Sequence, residues 1–158
     1  MRACCFTGHR EIIESHREKL MDLLARGIEY VYNEGVRDFY NGGALGFDTL
    51  AAQAVLSFRI SHPDVKLHMI LPCQNQTRNW SAREIEMYEH ILSVADTLEY
   101  VADEYYDGCM RVRNQRLVDL SDMIIAYVYR GGSGSSQTFR MAERAGLKTF
   151  NLYPSCTK

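Results

Sequence analysis

The sequence predicts an α/β fold with a mostly parallel sheet covered by helices on both faces. Short apolar runs alternate with segments of helical period along the whole length. Two of those runs lead into glycine-rich turns that open helices, Asn41-Gly42-Gly43-Ala44-Leu45-Gly46-Phe47-Asp48 and Gly131-Gly132-Ser133-Gly134-Ser135-Ser136. No linker, low-complexity tract or repeat interrupts the 158 residues, which fits one domain spanning 1–158.

Arg2 to Phe6 is a short apolar run that stops at Thr7-Gly8-His9-Arg10, a buried first strand feeding the loop where the functional face begins. Ser15 with Glu18 forms a capping-box pattern, after which Leu20, Leu23, Leu24, Gly27, Ile28 and Val31 repeat at helical spacing until Gly35. Val36 to Tyr40 is the second strand. The first glycine turn follows, and Leu50, Ala51, Ala54, Val55 and Phe58 mark the next helix. Val65 to Leu71 is a third strand ended by Pro72, and Cys73 to Trp80 is the longest irregular stretch, of the kind often used as a functional lid. Ser81 with Glu84 repeats the capping-box pattern before Ile85, Tyr88, Ile91 and Leu92, and Thr97 to Val101 is a fourth strand. Met110 to Leu120 reads as a helix and Met123 to Tyr129 as the most apolar strand. After the second glycine turn, Phe139 and Ala142 continue a helix closed by Gly146, and Lys148 to Leu152 is the last strand.

A formal charge of −2 gives no electrostatic footprint for nucleic acid, whose binding needs clustered Lys and Arg, so nucleic acid is not an expected partner. The five cysteines form no CxxC pair, and adjacent Cys4 and Cys5 should face opposite sides of a strand. That usage, with no metal-type His or Cys spacing, no signal peptide and no membrane-spanning segment, predicts a reducing, cytoplasmic setting without a metal.

The glycine turns suggest one phosphate-bearing ligand gripped from two sides. Glycine admits positive φ and close backbone approach, the first N–H groups of a helix point at an anion, and ligands of parallel sheets gather at strand carboxyl ends. Gly8 and Arg10 extend that set, since the guanidinium fork takes two phosphate oxygens, although Arg10 reads equally as an exposed loop arginine. His9 titrates near neutrality and suits acid–base work, or is an ordinary loop residue. Asp48, in the first turn of its helix, either compensates the helix dipole or accepts hydrogen bonds from ribose hydroxyls. In the long loop Gln76, Arg78 and Asn79 precede Trp80, the only tryptophan, which either stacks on a base or packs on the following helix. Arg113 and Asn114 follow no simple amphipathic order.

Met110-Arg111-Val112-Arg113-Asn114, then Leu120-Ser121-Asp122, then a strand and Gly131-Gly132-Ser133-Gly134-Ser135, resembles the LOG-type nucleotide phosphoribohydrolases. Together with Cys5-Phe6-Thr7-Gly8-His9-Arg10, Gly42-Gly43-Ala44-Leu45-Gly46-Phe47-Asp48 and the Gln-and-Trp loop, the chain resembles specifically the YpsA-like branch of the SLOG superfamily, over essentially its full length. The superfamily also includes DprA-like DNA-processing proteins. The resemblance implies a Rossmann-like three-layer sandwich and a nucleotide or nucleotide-derived ligand, ADP-ribose-like, with sensors and enzymes both represented. The YpsA-like branch is associated with bacterial cell-division control, and related folds often form homo-oligomers. Carried over residue by residue, Arg113 stands at the family's catalytic arginine, Asn114 replaces the adjacent lysine, Arg130 replaces the proline of the second turn, and Thr138 replaces the glutamate that stabilises the ribosyl cation. A neutral hydroxyl cannot supply that negative charge. The expectation is therefore a ligand-binding regulator, with Thr7, Gly8, His9, Arg10, Gly42, Gly43, Ala44, Gly46, Asp48, Gln76, Trp80, Arg113, Asn114 and Gly131 to Ser135 at its site. The alternatives are an N-glycosidase acting through Arg113, and a protein-interaction module with a vestigial pocket.

Overall fold

The computed structural model describes residues 2–157. The apolar runs become six strands, β1 (Arg2–Gly8), β2 (Val36–Asn41), β3 (Lys66–Leu71), β4 (Thr97–Tyr100), β5 (Met123–Tyr127) and β6 (Lys148–Asn151). The helical segments become α1 (Arg17–Asn33), α2 (Phe47–Ser61), α3 (Ala82–Val94), α4 (Cys109–Asp119) and α5 (Gly134–Arg144), with a short α6 (Tyr153–Cys156) at the end. Every strand pairing is parallel, in the order β4-β3-β2-β1-β5-β6. The chain walks outward from β1 to β4 and then returns to the far side of β1. Loops leaving β1 and β5 therefore diverge, and a crevice opens at their carboxyl ends.

The alternation of side chains along β1 assigns the two layers. Cys4 and Phe6 face a core filled by Leu20, Leu24, Ile28 and Val31 of α1, Ala51 and Val55 of α2 and Ile91 of α3. Cys5 faces the opposite layer with Leu117 and Val118 of α4 and Ala142 of α5. The adjacent cysteines thus lie on opposite faces, as period-two geometry requires. Each of the four apolar α1 side chains is fully buried, worth about 1.5–3 kcal/mol apiece relative to exposure.

Local signals and tertiary contacts disagree in three places. The Ser81–Glu84 capping box forms, with Ser81 N donating to Glu84 Oε1 at 2.9 Å and Glu84 N donating to Ser81 Oγ at 3.2 Å. The same pattern at Ser15 and Glu18 does not. Residues Glu14–His16 make a 3-10 turn, α1 begins at Arg17 without a side-chain cap, and His16 is buried with Nδ1 3.0 Å from the Tyr127 hydroxyl. Strand β5 ends at Tyr127, two residues earlier than its apolar pattern predicts, because the N–H groups of Tyr129 and Arg130 both donate to His9 Nε2, at 3.0 and 3.3 Å. The terminal α6, unforeseen in the sequence, buries Cys156 against the α1 layer.

Candidate functional site

Three strand-to-helix loops meet at the crevice. The loop after β1 is tied to the start of α2 by Phe47 N donating to His9 O at 3.2 Å, and to α5 by Ser135 Oγ donating to Gly8 O at 2.6 Å. Asn41 at the end of β2 shapes the first glycine turn from within, its amide donating to Asp48 O and its carbonyl accepting from Gly43 N, both at 2.8 Å. These loops, α4 and the Gln76–Trp80 segment enclose a cleft of about 430 Å³, within the range of small-ligand pockets.

Asp48 and Arg113 form its charged floor, each only 6 % exposed. One Asp48 oxygen, Oδ2, accepts from Ala44 N at 3.2 Å, while Oδ1 is buried and has no hydrogen-bond partner among the described residues. Burial pushes the Asp48 carboxyl up to about 6, partly offset by Arg113 and the Ala44 N–H. Arg113 sits on the buried face of α4 with Cys109 and Leu117. Its Nε donates to Asn114 Oδ1 at 2.7 Å, one terminal nitrogen donates to Gly42 O, and the other lies 3.7 Å from Met110 sulfur. Desolvation pulls the Arg113 pKa down and Asp48 opposes that pull, although the two form no direct ion pair.

The N-terminus of α5 lines the same cleft. Ser133 caps it, its hydroxyl accepting from Ser136 N at 3.1 Å while Ser136 Oγ accepts from Ser133 N at 3.0 Å. The N–H groups of Gly134 and Ser135 have no protein acceptor among the described residues, and both residues line the cleft. Such amides, at the positive end of a helix, accommodate an anion. Arg10 and Arg130, both exposed, also line the cleft. His9 is buried beneath them as a backbone clamp. Its Nε2 accepts two N–H groups, so the neutral ring carries its proton on Nδ1, and burial followed by the charge of Arg130 lowers its pKa.

Trp80 lines the cleft and also packs edge-on against Tyr88, ring centroids 5.1 Å apart at 79°. The packing on the following helix therefore holds, through Tyr88. Tyr88 anchors Gln76 as well, whose Nε2 donates to the tyrosine hydroxyl at 2.8 Å.

Of the residues singled out in the sequence, Thr7, Gly8, His9, Arg10, Ala44, Asp48, Gln76, Trp80, Arg113, Asn114, Ser133, Gly134 and Ser135 line this one cleft. Gly42, Gly43 and Gly46 lie behind its wall. Gly46 has φ +80°, and a β-carbon there would strike the Arg10 carbonyl, while one on Gly42 would come within 2.8 Å of Arg113 Nη1. Gly131 and Gly132 are exposed and outside the lining. Thr138 is fully buried and donates to Gly134 O at 2.8 Å, so its hydroxyl is spent on its own helix. Phe6, Leu45, Asn79, Met110, Leu117 and Arg130 complete the walls. Leu117 carried a readable signal, since Cys109, Arg113 and Leu117 repeat every four residues and place an arginine on an apolar stripe.

A family model, YpsA, described as the YspA SLOG family, matches residues 5–153. The SPbeta prophage-derived protein YoqJ of Bacillus subtilis (strain 168) is 32% identical over 152 residues, covering 86% of this chain and 88% of YoqJ. A UPF0398 protein of Bacillus cereus (strain B4264) is 31% identical over 113 residues, covering 70% of this chain but 56% of that protein. Among solved structures, DNA processing protein A of Helicobacter pylori, described for its single-stranded DNA binding mode, superposes with a TM-score of 0.67 at 21% identity. That superposition covers 95% of this chain and 64% of the other. This chain therefore spans little more than half of the matched B. cereus protein and under two thirds of the DprA chain.

Proposed function

Because the chain belongs to the YspA SLOG family, we propose that the cleft at the carboxyl ends of β1, β2 and β5 binds a nucleotide or nucleotide derivative, as a ligand-responsive regulator. The observation that carries this reading is one cleft lining that combines the Asp48 and Arg113 side chains with the Gly134 and Ser135 amides, which have no protein acceptor among the described residues. A carboxylate accepts hydrogen bonds from hydroxyls, and helix N-terminal amides in a cleft also lined by arginines donate to phosphate. A sugar phosphate presents both groups at once, and Trp80 offers a face or edge to an attached base. Arg10 and Arg130 add charge-assisted contacts to the phosphate.

A panel of nucleoside monophosphates and ADP-ribose, read by thermal shift and calorimetry, tests this. A ligand at 100 times its dissociation constant adds about 2.7 kcal/mol of stability, several degrees for a chain of this size. Arg10→Ala and Asp48→Ala should each weaken binding at least tenfold. Absence of stabilisation by every member of the panel overturns the reading.

A second reading, nucleotide N-glycosidase, draws support from Arg113 and from an Asp48 carboxyl whose pKa near 6 suits proton transfer at neutral pH. With Thr138 turned into its helix, Asp48 is the carboxylate available to oppose a ribosyl cation. Release of free base that disappears in Arg113→Ala and Asp48→Asn would establish this chemistry; binding without base release is the outcome expected of a regulator.

A further inference from the structure

We infer that the basic groove between α4 and α5 is a second nucleotide subsite continuous with the cleft, and that the ligand consists of two nucleotide units joined through phosphate. This rests on the reading of the cleft as a nucleotide site and names the class of molecule it takes.

The groove has a volume of about 280 Å³ and is lined by Arg111, Asn114, Gln137, Arg140, Met141 and Arg144. Asn114 also lines the cleft, so one side chain borders both spaces. On α5 the spacing of Gln137, Arg140, Met141 and Arg144 puts all four on one face, and Arg111 with Asn114 forms the matching face of α4.

The charges are not explained by the needs of the fold. Several cations elsewhere are paired, as Arg26 with Asp22, Arg37 with Asp64, Arg59 with Asp96, Arg116 with Glu99 and Lys148 with Glu34. None of Arg111, Arg140 and Arg144 lies within 4.0 Å of a carboxylate among the described residues. Arg144 in the last turn of α5 is favoured by the helix dipole, but Arg111 lies in the first turn of α4, where a cation is opposed by it and no acidic residue compensates. Three guanidinium groups lining one groove of a chain with net charge −2 await an anion from outside.

The remaining lining defines that anion. Gln137 carries an amide that donates and accepts, and Asn114, whose Oδ1 already accepts from Arg113 Nε, has its amide NH2 to donate, which together read the edge of a base, while Met141 supplies an adaptable apolar surface. A bare phosphate would use the arginines and leave the amides idle. A second copy of the chain docked by two-fold symmetry would set arginines against arginines. A nucleotide placed here, with its phosphate on the arginines and its base on the amides, joins the first unit past Asn114.

The test is calorimetry with mononucleotides of the four bases, 5′-phosphorylated linear dinucleotides, pyrophosphate-linked dinucleotides and a linear hexanucleotide. These are titrated into wild-type protein and into Arg111→Ala/Arg140→Ala/Arg144→Ala. The lead dinucleotide should bind at least tenfold tighter than its mononucleotide, and the linkage that gains most separates the two sources. The triple variant should lose that gain while keeping mononucleotide affinity within twofold. Arg140→Gln alone, an exposed single change, should lose part of the gain and guards against misfolding of the triple. Equal affinity of mono- and dinucleotides in wild type, or a gain that survives the triple variant, overturns the subsite. So does a further tenfold gain for the hexanucleotide, which would make the groove a single-strand track. Mononucleotide binding without a dinucleotide gain overturns this inference alone; no nucleotide binding at all overturns the cleft reading with it. Dinucleotide binding without mononucleotide binding upholds the groove.

Discussion

Asp48 is the residue at which stability and function pull apart. Burial raises its carboxyl from 3.8 to about 6, which opposes the charged form at neutral pH by roughly 3 kcal/mol at most. Asp48→Asn removes that opposition and keeps an oxygen to accept from Ala44 N. Urea unfolding at pH 7.5 should show the variant more stable by about 1–3 kcal/mol, with nucleotide binding weakened because one acceptor has become a donor. A neutral or destabilising effect would mean that the carboxylate is already satisfied in the folded protein. The aspartate itself was legible in the sequence as a helix-start residue beside a glycine turn. Its burial was not, because the cleft around it is completed by α4 with Arg113, 65 positions away in the chain. The glycines show the same limit: Gly42 was readable as a place of close approach, but the group that approaches is the Arg113 guanidinium. Spacing records that space is needed and not what occupies it.

At the scale of elements, helix starts separate local from tertiary control. Ser81–Glu84 and Ser15–Glu18 are the same pattern, yet only the first caps a helix, because His16 is drawn to the Tyr127 hydroxyl 111 residues on. The α5 cap by Ser133 and Ser136 lacks the usual glutamate and was readable only as part of a glycine turn. Ser133→Ala should cost about 1 kcal/mol, roughly 2–4 °C in melting temperature, and weaken nucleotide binding by fraying the anion-facing amides. Ser81→Ala should cost a similar amount and leave binding unchanged. Equal effects of the two on binding would detach the α5 terminus from the site. The alternation of strands and helices, by contrast, was legible up to the terminal α6, most plainly at β1 and β5, where burial on both faces writes the strand as a continuous apolar run.

For the whole molecule, pH acts through two buried groups of opposite sign. His9 has a lowered folded pKa, so its contribution is complete above its unfolded value near 6.5 and is lost as pH falls through the folded one. Asp48 has a raised folded pKa, so its contribution is complete below 3.8 and is lost as pH rises through about 6. The stability advantage of Asp48→Asn should therefore be largest above about pH 7, shrink between pH 6 and 4, and vanish below. Denaturant midpoints measured at pH 4, 5, 6 and 7.5 check this, and an advantage independent of pH would remove the carboxyl as its source. The position of β1 in the middle of the sheet has a consequence for biosynthesis. Strand β1 finds β2 soon after it is synthesised, but its other edge stays open until Met123–Tyr127 arrives. A nascent or truncated chain ending before α4 thus presents an apolar, unpaired strand edge, a template for aggregation, and no ligand can rescue it, because half of the cleft has yet to be synthesised.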